Sequence, residues 1–152
     1  MTFRSLISVR RVGETMDQDL IWSYETILAA EPGSAAKARA FVLQHLVEHR
    51  LLDLADDVRL VASELAANAV VHARTAFTVT LERRVQSVLL TVRDGSPTPP
   101  RVGNNAPRVS DTSGRGLVVV NMISESWGVT GWGGEAKSVW ASFGIPAPPT
   151  TR

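Results

Sequence analysis

The sequence predicts an α+β fold, a two-layer sandwich with helices on one face of a mixed, largely antiparallel sheet. The segments FTVTLE (77–82) and VLLTVR (88–93) alternate apolar and polar residues, and about five residues separate them, as in an antiparallel hairpin. Two segments upstream show helical periodicity. Because each predicted strand is apolar on one face only, a single helical layer should cover the sheet.

The predicted elements follow in chain order. SLISVRRV (5–12) and SYETILAA (23–30) are each strand candidates, and a first helix should begin at an N-cap, Ser34, and run to about Arg50. A second helix is predicted over 56–73. After the hairpin and a long irregular loop, a glycine-rich entry should lead into a third helix, LVVVNMISES, and then into the strands WGVTGW and SVWASF.

Composition limits the function classes. Sixteen Lys plus Arg face fifteen Asp plus Glu, a net charge of +1 that gives no reason to expect direct nucleic-acid or membrane binding. The absence of Cys excludes disulfides and thiolate chemistry. We find neither an apolar run of about 20 residues nor a secretory signal, so we expect a cytoplasmic protein.

The 152 residues suffice for one compact domain. We expect residues 31–145 to form it. Residues 1–30 would be an N-terminal segment that belongs to the same fold or makes a dimer contact, and 146–152 a disordered tail.

The second predicted helix carries a polar stripe. Glu64, Asn68 and His72 are four residues apart and so lie on one helix face, among apolar residues. A carboxylate and a carboxamide on a buried face are costly unless something satisfies them. A bound ligand is one explanation, and backbone groups or an arginine inside the core are another.

Two further features point to a ligand. Asp94 ends the second hairpin strand, where a side chain often faces a pocket, although an Asp-Gly-Ser-Pro turn explains it equally well. Gly114, Arg115 and Gly116 immediately precede the third predicted helix, and free N–H groups at a helix start suit a phosphate-sized anion. Glycine there also serves simple chain reversal. The loop between these features, 94–116, is long enough to be a lid.

These elements together resemble the Bergerat-fold nucleotide-binding domain of gyrase, chaperone and histidine-kinase ATPases, and within it the anti-sigma-factor serine/threonine kinases of bacteria. The resemblance rests on ELAANAVVHA (64–73), VRDGSPTPP (92–100), GRGLVVVNMISESWGV (114–129) and KSVWASF (137–143). It implies an ATP-binding regulator that phosphorylates a partner protein and controls transcription by partner switching. The implied partners are a sigma factor and an anti-anti-sigma antagonist, and the family commonly forms homodimers.

The resemblance also implies roles for individual residues. Glu64 would be the catalytic base, Asn68 would hold Mg²⁺, and Asp94 would accept the adenine amine. The phosphates would meet the segment Gly114, Arg115, Gly116 and Leu117, and Ser138 would support the adenine contact. The chain departs from the family pattern where Ser96 and Thr98 replace two glycines around Pro97.

Two alternatives remain open. The altered loop also fits a non-catalytic, nucleotide-sensing or nucleotide-free module that binds proteins. Separately, His45, Glu48 and His49 match an H-x-x-E-H zinc motif, although no third ligand is identifiable and short patterns recur by chance.

Overall fold

A computed structural model describes residues 20–73, 75–95, 112–130 and 136–146, with backbone alone at 72, 73 and 112–117. Its helices are α1 (Ser34–Glu48), α2 (Ala55–Asn68) and α3 (Thr112–Ile123). A 3-10 turn (Leu52–Leu54) precedes α2, and a π-helical turn (Ala69–Ala73) continues it. Its strands are β1 (Leu20–Leu28), β2 (Phe77–Arg84), β3 (Ser87–Asp94), β4 (Ser126–Thr130) and β5 (Lys137–Gly144).

The five strands form one sheet in the order β1-β2-β3-β5-β4. The α+β fold class is confirmed, but all four strand pairs among the described residues are antiparallel, so the sheet is not mixed. The strand candidate 23–30 is confirmed within β1, an edge strand, whereas the candidate 5–12 lies outside the described residues. The predicted hairpin is the β2–β3 pair.

One face of the sheet packs under the helices. Phe77, Val79 and Leu81 of β2 and every second residue of β3 are buried there, because successive side chains on a strand point to opposite faces. α1 and α2 supply the other half of the core through their apolar stripes. Fully buried side chains from the two layers include Phe41, Val58, Val61, Phe77, Val79, Leu81, Val88 and Leu90. None of the helices among the described residues combines the length and apolar character that crossing a bilayer requires.

The structure corrects three details of the helix predictions. Gly33 holds the N-cap position of α1, and Ser34, inside the helix, donates its hydroxyl to the carbonyl of Ala29 at 2.6 Å. The sequence of the second helix is apolar nearly all round and so predicts burial on every side, but Leu60 is 43% exposed and Val71 60% exposed. The third helix begins at Thr112, ahead of its predicted glycine entry.

The early start of α3 has a local reason. Asp, Thr and Ser are favoured at helix N-termini, and the sequence DTS (111–113) offers all three just before the first glycine. A single glycine inside a helix costs only about 1 kcal/mol relative to alanine. The residue types ahead of the first glycine therefore favour a helix start at this point of the sequence.

A cluster of aromatic and histidine rings packs β1 against the C-terminal end of α1. The ring of Tyr24 stacks on His45 with centroids 3.9 Å apart, and Trp22 stacks on His49 at 4.3 Å. The Tyr24 hydroxyl lies 2.9 Å from Nε2 of His49, and Nδ1 of His45 lies 3.1 Å from Glu48 Oε1. The edge strand thus joins the fold through ring contacts as well as through its ladder with β2.

His45 should make stability depend on pH. Its side chain is 1% exposed, and burial lowers its pKa below the usual 6.5, although nearby Glu48 partly offsets this. The folded state disfavours the protonated ring. The contribution of neutral His45 to the free energy of unfolding is therefore fully present above about pH 6.5, and it is lost as the pH falls toward the lowered pKa.

The measurement is denaturant unfolding of wild type and His45→Gln between about pH 7.5 and 5.5, a window that spans the unfolded histidine pKa. The stability of wild type should fall relative to that of the variant as the pH decreases. If the difference in free energy of unfolding between wild type and His45→Gln stays constant across this pH window, His45 is not the source of the pH dependence.

Candidate functional site

α2 presents the polar stripe beside the core. Glu64 and Asn68 lie one turn apart and are both half-buried, while their neighbours Leu65 and Ala69 are buried. α2 packs against α3 and also against β3 and β5. The two polar side chains therefore belong to the helix that joins the helical layer to the centre of the sheet.

The helix changes its geometry directly after Asn68. Residues 69–73 form a π-helical turn, which contacts β3. π-Helical turns are rare and occur frequently at functional sites, because the extra residue per turn redirects the side chains that precede and follow it. His72 lies within this turn, and its side chain is outside the described set.

Asp94 lies at the end of β3 on the side that faces the helices. It continues the inner row of Val88, Leu90 and Val92, and it is 5% exposed. Its cross-strand partner on β5 is Lys137, which is 6% exposed. Lys137 Nζ lies 3.7 Å from Asp94 Oδ2. The inner face of the sheet therefore ends in a buried pair of opposite charges.

This pair is energetically unusual. Asp and Lys are almost never fully buried without a partner, because removing a charge from water costs several kcal/mol. Their mutual attraction offsets that cost only when further polar contacts complete the site. Two apolar residues would serve the core at least as well, so the pair is better explained by a chemical role than by stability.

The opening of α3 brings part of the predicted phosphate segment to a helix start. Gly114 is the third residue of α3, and at that position a backbone N–H has no acceptor inside the helix. In regular helical geometry the N–H of Gly116 bonds the carbonyl of Thr112, and that of Leu117 bonds Ser113. Regular helical geometry thus gives the Gly114 N–H no backbone acceptor within the helix, while the side chains of Arg115 and Leu117 lie outside the described set.

Ser138 is not brought to this site. Lys137 and Ser138 are consecutive on β5, so their side chains point to opposite faces of the sheet. Ser138 lines a groove of about 390 Å³ on the outer face, together with Thr78, Arg93 and Glu25. The predicted support of an adenine contact by Ser138 does not match this placement, and the residue facing Asp94 is Lys137.

The histidine motif of α1 is part of the structural cluster described above. His45 is buried between Tyr24 and Phe41, and His49 contacts Trp22 and Tyr24. Among the residues that the structure describes, no group of three His, Asp or Glu side chains is placed to hold a metal. The ring contacts account for this motif without zinc.

The polar side chains of α2, in contrast to the histidine motif of α1, fit a metal ion, namely magnesium. Mg²⁺ prefers oxygen ligands, usually keeps several waters, and is commonly held by one or two protein side chains together with substrate phosphates. The amide oxygen of Asn68 and the nearby carboxylate of Glu64 are such donors, and both residues are half-buried. A cage of protein ligands is not required for an ion that arrives with a nucleotide.

The family comparison agrees with this geometry. The histidine kinase-like ATPase domain family matches residues 28–143, well over half of the chain. The chain therefore belongs to that family and is an ATP-binding domain of the GHKL type. None of the curated proteins compared with the sequence matches it. The match begins at the last residue of β1, so most of that strand lies ahead of the matched residues.

Sequence reasoning missed Lys137. A signal was available, because the inner row of β5 consists of Lys137, Val139, Ala141 and Phe143. A lysine that begins an apolar row is expected on the buried side of the strand. The cross-strand register with Asp94 depends on how the sheet is ordered, and that order is not readable from local patterns.

Removing one partner of the buried pair should destabilise the fold. Lys137→Met removes the ammonium that lies beside the buried Asp94 carboxylate, and we expect a loss of about 3 kcal/mol in the free energy of unfolding. In the double variant Asp94→Asn/Lys137→Met both charges are gone, so most of the loss should be recovered. Denaturant unfolding measures both, and a double variant less stable than Lys137→Met would contradict this account.

Proposed function

We propose that this protein is an ATP-dependent serine/threonine protein kinase of the anti-sigma-factor type. It would transfer the γ-phosphoryl group of ATP to a hydroxyl of an antagonist protein, and it would hold or release a sigma factor according to the state of that antagonist. Cytoplasmic location and homodimer formation belong to the same proposal.

One observation carries the proposal. Glu64 and Asn68 lie half-buried on α2, and this helix packs on α3, whose first turn contains Gly114, and on β3, which ends in Asp94. A base, a magnesium ligand, an anion-binding helix start and a hydrogen-bond acceptor thus belong to elements that touch one another. These are the parts that phosphoryl transfer needs, since it relies on positioning and charge stabilisation.

Each residue has a definable task. Glu64 would accept the proton of the attacking hydroxyl. The hydroxyl oxygen would then bond to the γ-phosphorus of ATP while the bond from that phosphorus to the departing ADP oxygen breaks. The N–H of Gly114 would donate to a phosphate oxygen at the positive end of the α3 dipole. Asp94 would accept a hydrogen bond from the 6-amino group of adenine, a position at which guanine has a carbonyl. Asn68 would hold Mg²⁺, which supplies charge neutralisation for the triphosphate when bound.

The proposed kinase differs from a simple ATPase in directing the γ-phosphoryl group to a hydroxyl of another protein. A pre-formed site for a partner hydroxyl near Glu64 is the feature that would separate the kinase from a hydrolase.

The buried ion pair favours a second candidate. Lys137 neutralises the carboxylate that would otherwise receive the nucleobase, and exposed apolar residues on α3, Val118 and Met122, lie on one face four positions apart. A module that keeps the fold for protein binding alone would need neither adenine recognition nor turnover. This alternative requires that Mg-ATP does not bind.

Calorimetric titration with Mg-ATP separates the two candidates. We expect wild type to bind, and we expect Asp94→Asn to bind at least about 10-fold more weakly, because the amide replaces a charged acceptor for the amine. Absence of binding heat and of thermal stabilisation in wild type would favour the protein-binding module.

Replacement of the proposed base tests the chemistry. Glu64→Gln should retain Mg-ATP binding but transfer label from γ-labelled ATP to candidate antagonists about 10²- to 10⁴-fold more slowly, since the amide cannot accept the proton.

The matched control is Asp57→Asn on the same helix, because Asp57 is exposed two turns before Glu64. It should leave the transfer rate unchanged. Transfer by Glu64→Gln at the wild-type rate would remove this residue from the role of base.

A further inference from the structure

The outer face of the sheet carries a groove with a polar lining and a volume of about 390 Å³. That volume is in the range of small-molecule sites. Three threonines of β2 and β3 form the floor, and three charged residues line it as well: Thr78, Thr80, Thr91, Glu25, Glu82 and Arg93. Because the helices pack on the other face of the sheet, a ligand in this groove would be separate from the nucleotide site proposed above.

The packing of Trp140 explains why the floor of the groove is open. Trp140 of β5 is the cross-strand neighbour of Thr91 on one side and of Gly128 on the other. A Cβ atom at Gly128 would lie only 2.7 Å from the indole ring, so the ring lies directly over this glycine. The largest side chain next to the groove therefore turns toward β4, and the threonine floor stays uncovered by it.

Two of the charged groups in the groove are available to a ligand. Glu82 is 9% exposed and its carboxylate lies 3.9 Å from the guanidinium of Arg84, so it already has a cation beside it. Within the described part of the chain, by contrast, neither Glu25 nor Arg93 forms an ion pair. The groove thus offers one carboxylate and one guanidinium.

The sheet register places these two charges at diagonal ends of the floor. Glu25 of β1 lies opposite Thr80, and Arg93 of β3 lies opposite Thr78. Their Cα atoms are about 12 Å apart, because neighbouring strands are separated by about 4.8 Å and two residues along a strand span about 6.8 Å. A ligand that meets both side chains must therefore be elongated and must carry opposite charges at its two ends.

The chemistry of the lining narrows the class of ligand. A guanidinium binds a carboxylate through two parallel hydrogen bonds, and a carboxylate accepts from an ammonium. Threonine hydroxyls both donate and accept, so they suit the C=O and N–H groups of amides. An extended chain of three residues spans about 10 Å, which is close to the diagonal of the floor.

We propose that the outer groove binds a zwitterionic ligand of the short-peptide class. Its ammonium lies at Glu25, its carboxylate lies at Arg93, and its amides lie over the threonines. The inference goes beyond the proposed function, since it concerns the opposite face of the sheet and requires no nucleotide. Both charged contacts are open to solvent, so the affinity is modest, with a dissociation constant of about 1 mM for an unoptimised peptide.

Titration of the ¹⁵N-labelled protein with triglycine, followed by NMR without nucleotide, tests the proposal. The backbone amide signals of Thr80 and Thr91 should shift and saturate. N-acetyl-triglycine lacks the ammonium and triglycine amide lacks the carboxylate, so each should bind about 5-fold more weakly than triglycine.

Two variants assign the ends of the peptide. Glu25→Gln should bind triglycine about 5-fold more weakly than wild type and should no longer distinguish it from N-acetyl-triglycine. Arg93→Gln should show the same loss and should no longer distinguish triglycine from triglycine amide. The matched controls are Asp57→Asn and Arg39→Gln, which remove the same charges from exposed positions on the helices and should bind as wild type does. The same spectra report whether each variant is folded.

Three outcomes would overturn the inference. The first is the absence of shifts in wild type at about 10 mM triglycine, ten times the expected dissociation constant. The second is that capping either end of the peptide costs as much in Glu25→Gln and Arg93→Gln as in wild type. The third is an equal loss of affinity in Asp57→Asn or Arg39→Gln, which would indicate a general charge effect. None of these results bears on Mg-ATP binding, and a protein that binds no nucleotide would leave the peptide titration unaffected.

Discussion

The burial of one sheet face beneath the helices is the constraint on which the rest of the molecule depends. Because side chains alternate along a strand, the apolar row on β3 cannot turn away from the helices before the strand ends. The row therefore carries Asp94 to the same side, and the register of β5 brings Lys137 opposite it. The residues that stabilise the domain and those that would select a ligand thus form one continuous surface.

α2 shows the same overlap of stability and chemistry. Val58, Val61 and Leu65 bury its apolar stripe in the core, while Glu64 and Asn68 follow at the margin of that stripe. A helix fixed by its packing holds polar side chains in place at little further entropic cost, which is a condition for positioning a phosphoryl group. The π-helical turn that follows lets the chain depart from this geometry immediately after the polar pair.

The other end of the sheet is held by different means. Trp22 and Tyr24 on β1 stack on the histidines of α1, so an edge strand that lies mostly outside the family match is joined to the domain by aromatic contacts. Ile21 and Ile27 on the same strand remain exposed. Among the described strands β1 pairs on one side only, and an edge strand with exposed apolar side chains is the kind of surface through which sheets associate.

Local patterns in the sequence determined the β2–β3 hairpin, the inner rows of its two strands and the placement of Glu64 and Asn68 on one helix face, because periods of two and about 3.6 residues are properties of the backbone itself. The order of the strands and the meeting of Asp94 with Lys137 were decided by the tertiary structure. A cross-strand neighbour forty-three positions away has no local signature, since only the packing of the whole sheet selects its register.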